Sequence, residues 1–195
     1  MSDILQKALQ ALSTPGGVIL VPTETVYGLV CDWQDEAARD RIYKLKGRSE
    51  NKPLAMFADS AETAEKFGVQ LNIQARILLK KFAPGPITVI APAIGKYPTV
   101  GVRIPDHPFV LELLKAYGRP LASTSANASG MPNVLKVADA LAQLNGTVDL
   151  AADGGTLPED AAASTVVSVC NAEMQILREG PVSAEVIAEA LKNHQ

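Results

Sequence analysis

The sequence predicts a single α/β domain over residues 1–195, a twisted mixed sheet with flanking helices. Three observations carry that prediction. Short β-branched runs bounded by turn residues read as buried strands, and longer segments space their apolar residues as helices do. The two kinds of segment mix without strict βαβ alternation, and strands cluster late, which favours a mixed sheet over a doubly wound parallel one. With 195 residues, 47% of them hydrophobic, the chain can bury one substantial core and is short for two. No repeat, low-complexity tract or linker divides it.

Ile4, Leu5, Ala8, Leu9 and Leu12 give a first helix over 3–12, with Ser2 as N-cap and Thr14-Pro15-Gly16-Gly17 as its stop. Val18-Ile19-Leu20-Val21 is a buried strand. A helix over 35–46 ends at Gly47, and 54–58 is a strand. Helices follow at 61–67 and 73–82. Pro84-Gly85-Pro86 forces a turn before a strand at 87–91, and 100–104 is another. Pro108 to Tyr117 is a helix closed by Gly118, 120–123 a strand, and 137–144 a helix closed by Asn145-Gly146. Strands at 149–152, 165–170 and 175–178 precede a final helix at 184–192.

Composition narrows the function classes. No apolar run approaches bilayer length, and the start of the chain enters an amphipathic helix directly, so neither signal peptide nor anchor is expected. Cys31 and Cys170 lie far apart among apolar residues, which predicts buried free thiols in a reducing cytoplasm. His107 and His194 are too few and too separated for a metal cluster. The net charge of −3 argues against a general nucleic-acid coat protein. Yet Lys44, Lys46, Arg48 and Lys52 crowd one stretch, and Arg103 and Arg178 stand beside turns. Local cations on an acidic chain suit a small anion better than a polymer.

Candidate chemistry falls in several places. Pro22-Thr23-Glu24-Thr25-Val26-Tyr27-Gly28-Leu29 follows a buried strand, where open α/β sheets place ligands. Its alternative is an ordinary turn. Lys46 and Arg48 lie where a helix gives way to a loop and can converge on one anion, Arg48 as a fork and Lys46 as a point charge. A lysine-rich helix end also simply offsets the helix dipole. Ser123-Thr124-Ser125-Ala126-Asn127-Ala128-Ser129-Gly130 follows an apolar strand, and its small polar side chains and backbone N–H groups can surround a polyanion. Thr99, Arg103, Ser164 and Arg178 are further contributors. There is no Walker loop, dinucleotide fingerprint, nucleophile elbow or histidine-based triad.

In order along the chain, these segments resemble the YrdC/Sua5 family of threonylcarbamoyl-AMP synthases, in its short TsaC form. The markers are Pro22 to Leu29, Lys46-Gly47-Arg48 with Pro53-Leu54, and Pro84-Gly85-Pro86-Ile87-Thr88. They continue with Val102 to Pro108, Ser123 to Gly130, Ser164-Thr165-Val166-Val167 and Arg178-Glu179-Gly180. The resemblance implies a sheet around a positively lined cavity. It assigns Thr25, Arg103, Ser123 and Ser164 to threonine, and Arg48, Lys52, Thr99, Ser125, Asn133 and Arg178 to ATP. Lys46, Arg48, Ser125 and Asn127 match the family's recurrent quartet and are the expected catalytic set. Two positions depart: Phe57 stands where some relatives place histidine, and Lys52 where some place asparagine.

The implied reaction joins L-threonine, bicarbonate and ATP. Threonine's amine becomes a carbamate, a carbamate oxygen attacks the α-phosphorus, and pyrophosphate leaves. No dedicated metal site is expected; Mg2+ would arrive on the ATP phosphates, keeping several waters. The product would pass to a separate transferase that modifies adenosine in tRNA to N6-threonylcarbamoyladenosine, with weak tRNA binding as an accompaniment. Two other readings stand beside this one. Related domains make carbamoyl-adenylate, but fused to other catalytic domains. An RNA-binding or ribosome-maturation factor is the non-enzymatic reading, disfavoured by the acidic charge and the lack of stacking aromatics.

Overall fold

The computed structural model describes residues 2–171 and 173–192; His194 lies outside them. Among the described residues the chain forms α1 (Asp3–Ser13), β1 (Ile19–Val21), β2 (Gly28–Asp32), α2 (Glu36–Lys46), β3 (Ala55–Phe57), α3 (Ala61–Lys66), α4 (Ile73–Phe82), β4 (Ile87–Pro92), β5 (Thr99–Arg103), α5 (Pro108–Tyr117), β6 (Leu121–Ser125), α6 (Val137–Gln143), β7 (Leu150–Ala151), β8 (Thr165–Ser168), β9 (Gln175–Arg178) and α7 (Ala184–Lys192). No helix among them is long and apolar enough to cross a membrane.

Helix ends follow local chemistry. Ser2, Asp35, Ser60 and Asn72 each accept a hydrogen bond from a backbone N–H of the first turn, satisfying donors that a helix start leaves unpaired. α2 ends at Gly47, which adopts φ 57°, ψ 37°, a left-handed conformation that glycine enters without a Cβ penalty. That turn sets the direction in which Arg48 leaves the helix.

The strands join in one mixed sheet in the order β7-β1-β2-β6-β3-β5-β4-β8-β9. The pairs β1–β7, β3–β5 and β4–β8 are parallel, and the others are antiparallel. Helices cover both faces of the β1-β2-β6 half. Leu20, Leu29, Cys31 and Ala122 pack with Ile42 and Leu45 of α2 and Ala140 of α6. On the opposite face Ile19, Val21, Val30 and Leu121 meet Leu5, Ala8 and Leu12 of α1 and Val110, Leu113 and Leu114 of α5. The β5-β4-β8 half buries one face, with Val89, Ala91, Val100, Val102 and Val167 against α3, α4 and α7.

Three expectations change. β2 has no counterpart among the predicted strands: residues 28–32, of which 28 and 29 belong to the candidate turn, are all buried between β1 and β6. A strand covered on both faces has no polar alternation to announce it. The serine-rich stretch is also less of a loop than expected, because β6 runs on to Ser125, pairing Thr124 with Leu29 and Ser125 with Gly28. Cys31 is buried and free as predicted, but Cys170 is only half-buried. Burial pushes the Cys31 thiol well above its ordinary pKa, so it stays protonated and inert.

Candidate functional site

A cavity of about 260 Å³ opens on the sheet face left uncovered by the helices of the β5-β4-β8 half. Its lining follows the two-residue period of strands, in which every second side chain shares a face. Thr88 and Ile90 of β4 and Gly101 and Arg103 of β5 line it in that alternation, whereas the end of β6 contributes the consecutive Ser123, Thr124 and Ser125. The residues between them on β4 and β5, Val89 and Val102, go to the core. Arg48, Ala163, Ser164, Val166 and Arg178 close the remaining sides. The volume lies near the lower end for small-molecule clefts.

The deep end is built around Arg103, which is only 6% exposed. One guanidinium nitrogen, Nη2, donates to Glu24 Oε1 at 2.8 Å and to Thr25 Oγ1 at 2.7 Å. The guanidinium lies over the Phe57 ring, 5.4 Å from its centroid, so the residue at the departing position is a cation–π floor for Arg103. Arg103 Nε is buried without a partner. The 23–26 turn is held by Thr23, whose hydroxyl lies 2.9 Å from that of Thr25 and donates to Val26 O at 2.6 Å.

Next to Arg103 across the antiparallel β4–β5 ladder, Thr88 Oγ1 and Ser164 Oγ lie 2.8 Å apart. Arg178 reaches in from β9, its Nε and Nη2 donating to Ser164 O at 3.0 and 2.7 Å and Nη2 to Ser164 Oγ at 3.1 Å. Burial, and after it the positive charges of Arg103 and Arg48, hold Arg178 below the usual arginine pKa. A guanidinium that feels two others around one cavity marks a site that gains from an anion.

Arg48 borders the cavity from the loop after α2, its Nε donating to Lys52 O at 3.0 Å and Nη2 to Pro53 O at 3.2 Å. Lys46 points elsewhere: its buried ammonium donates to the carbonyls of Ser125 and, at 2.5 Å, Asn127. Burial, with Arg48 nearby, lowers its pKa to about 8. Asn127 braces the same segment, donating from Nδ2 to Met131 O at 2.6 Å, while its Oδ1 is buried without a partner. Lys46 and Asn127 therefore fasten the end of β6 on which Ser125 sits.

The structure thus brings Arg48, Arg103, Ser123, Ser125, Ser164 and Arg178 to one cavity, with Thr25 bonded to Arg103 behind it. Lys52 and Asn133 are not brought there. Lys52 is exposed and contributes its backbone carbonyl to Arg48, and Asn133 lines a separate depression with Lys136, Asp139 and Glu159. Thr99 shares the cavity-facing side of β5 two residues before Gly101, beyond the lining. Thr88 and Gly101 were given no role from sequence; the two-residue spacing from Arg103 and Ile90 is the signal that finds them.

Fold and site together define an α/β domain that gathers arginines and hydroxyls around a small anionic ligand. The model of the Sua5/YciO/YrdC family, described as "Telomere recombination", matches residues 11–180, and the chain belongs to that family. A Mycobacterium tuberculosis protein provisionally named as a threonylcarbamoyl-AMP synthase is 36% identical over 184 residues, covering 90% of this chain and 84% of that protein. The Rattus norvegicus threonylcarbamoyl-AMP synthase is 37% identical over 181 residues, 86% of this chain but 63% of the rat protein. The solved structure of Pyrococcus abyssi Sua5 complexed with L-threonine superposes with a TM-score of 0.87 at 32% identity, over 96% of this chain and 57% of that one.

Proposed function

We propose that this chain is a threonylcarbamoyl-AMP synthase, a nucleotidyltransferase that condenses L-threonine, bicarbonate and ATP into threonylcarbamoyl-AMP and pyrophosphate for tRNA modification. The observation that carries the reading is the division of labour inside one cavity. Arg103, backed by Thr25, Ser123 and Ser164, offers a deep carboxylate-binding cation; Arg48, Arg178 and Ser125 offer phosphate-binding donors along the rim. The family relationship, and relatives that carry this activity in their names, support it.

In the proposed reaction the carbamate oxygen of threonine displaces pyrophosphate from the α-phosphorus. Negative charge builds on the leaving group, and Arg48 and Arg178 supply opposing charge that is in place beforehand. Holding amino acid and nucleotide in a shared cavity provides the rest through positioning. Lys46 and Asn127 contribute by fixing Ser125. The donors at this end are guanidinium and hydroxyl groups, which bind phosphate oxygens rather than a hard dication. Mg2+ would then arrive on the ATP phosphates and neutralise charge there. Handover to a tRNA-modifying transferase is part of the same proposal.

Mass spectrometry of a reaction containing ATP, L-threonine and labelled bicarbonate tests this. A labelled threonylcarbamoyl-adenylate is the expected product, with pyrophosphate release that stops when threonine is omitted. Release that continues without threonine would overturn the assignment.

A further inference from the structure

We propose that Glu24 receives the substrate's ammonium group, so that the Glu24–Arg103 pair recognises the amino acid as a zwitterion. The proposal deepens the synthase reading and rests on it. Arg103 is almost wholly buried, and its bonds to Glu24 and Thr25 both come from one nitrogen, Nη2. Nε on the same guanidinium is buried with no partner. Buried donors in native proteins are nearly always matched, and an unmatched one on a charged group calls for an explanation. A carboxylate accepting from Arg103 supplies it.

Glu24 stands beside Arg103, at the edge where the cavity gives way to a neighbouring depression that Glu24 and Thr25 line. Its side chain is 18% exposed and ion-paired to Arg103 at 2.8 Å, and among the described residues its second carboxylate oxygen makes no hydrogen bond. A cation with a spare donor therefore sits one ion-pair length from an anion with a spare acceptor. The carboxylate and ammonium of an α-amino acid, separated by one carbon, present the opposite charges on the same scale. An α-hydroxy acid of the same shape would satisfy Arg103 alone and leave Glu24 facing a neutral group. Selection against such acids is the chemistry this pair can perform.

The test uses Glu24→Gln, which keeps a carbonyl acceptor for Arg103 and removes the charge. Threonine-dependent pyrophosphate release should show KM for threonine rising about tenfold to a hundredfold, the value of one charge-assisted hydrogen bond, with KM for ATP unchanged. Calorimetry with L-threonine and with the analogue carrying hydroxyl in place of ammonium should show the variant losing most of the wild-type preference for threonine. Glu24→Asp keeps the charge on a shorter arm and should fall between the two; it also carries the test if the glutamine variant unfolds. Wild-type KM and wild-type preference in these variants would overturn the proposal and leave the synthase reading standing. A wild-type protein indifferent to threonine would overturn that reading itself, and no variant is needed to see it.

Discussion

The two ends of the cavity are built differently. Arg103 rises from a strand paired on both sides, β5 between β3 and β4, and rests on Phe57 with Glu24 and Thr25 bonded to it. Arg48 hangs from the loop after α2, and its own hydrogen bonds go to carbonyls of the same loop, those of Lys52 and Pro53. One cation is locked by tertiary structure and the other by a few neighbours in sequence. A small rigid ligand suits the first, and a larger one that must enter and leave as triphosphate and pyrophosphate suits the second. The same charge can therefore be structural in one place and adaptable in another.

Arg103→Ala should separate the ends most sharply. It removes a buried guanidinium together with its bonds to Glu24 and Thr25 and its contact with Phe57, leaving a void under the cavity. Thermal melts should show a loss of stability together with collapse of threonine-dependent turnover. Arg48→Ala should lower turnover about a hundredfold to a thousandfold, as expected for one transition-state donor, while the melting temperature barely moves. Unchanged activity in that variant would remove Arg48 from the site.

Lys46→Met should act through stability, because it strips the carbonyls of Ser125 and Asn127 of a buried donor, at about 1–3 kcal/mol. Its pH signature is distinctive. Lys46 in the fold has a pKa of about 8, below that of an unfolded lysine. Between those values the unfolded chain holds more protons, so this residue makes stability climb as pH rises. The climb should vanish in Lys46→Met, as denaturant titrations at pH 7.5, 9 and 10 would show (values chosen to span roughly that window). Gly101→Ala should be mildest. Its Cβ would meet Thr88 Cγ2 at 3.0 Å, nudging the hydroxyl that pairs with Ser164, and a several-fold rise in KM for threonine is the expected readout.

These contrasts also explain what the sequence disclosed. Helices were legible because their ends are written locally: Asp35 and Gly47 bracket α2, and Pro108 and Gly118 bracket α5. β2 is the harder element: it lacks polar alternation and follows the polar Thr-Glu-Thr at 23–25, so its one local mark is the short apolar run Leu29-Val30-Cys31. Residue types told that an anion site exists but not which way each cation turns. Lys46 is two residues from Arg48, yet its ammonium seats on backbone carbonyls while Arg48 borders the cavity. Lys52 matched on chemistry and turned outward. The convergence of residues 25, 103, 123 and 164 depends on strand order in the sheet, which nothing in their spacing encodes.

One consequence follows from where Arg178 comes from. β9 is the last strand of the sheet, paired on one side with β8 alone. Marginal strands detach at lower free energy than central ones, so mild denaturant should silence the protein while its interior is still intact. Activity should be lost at a lower urea concentration than the fluorescence of Trp33, which packs beside the interior clusters. Coincident curves would mean that the margin and the interior melt as one.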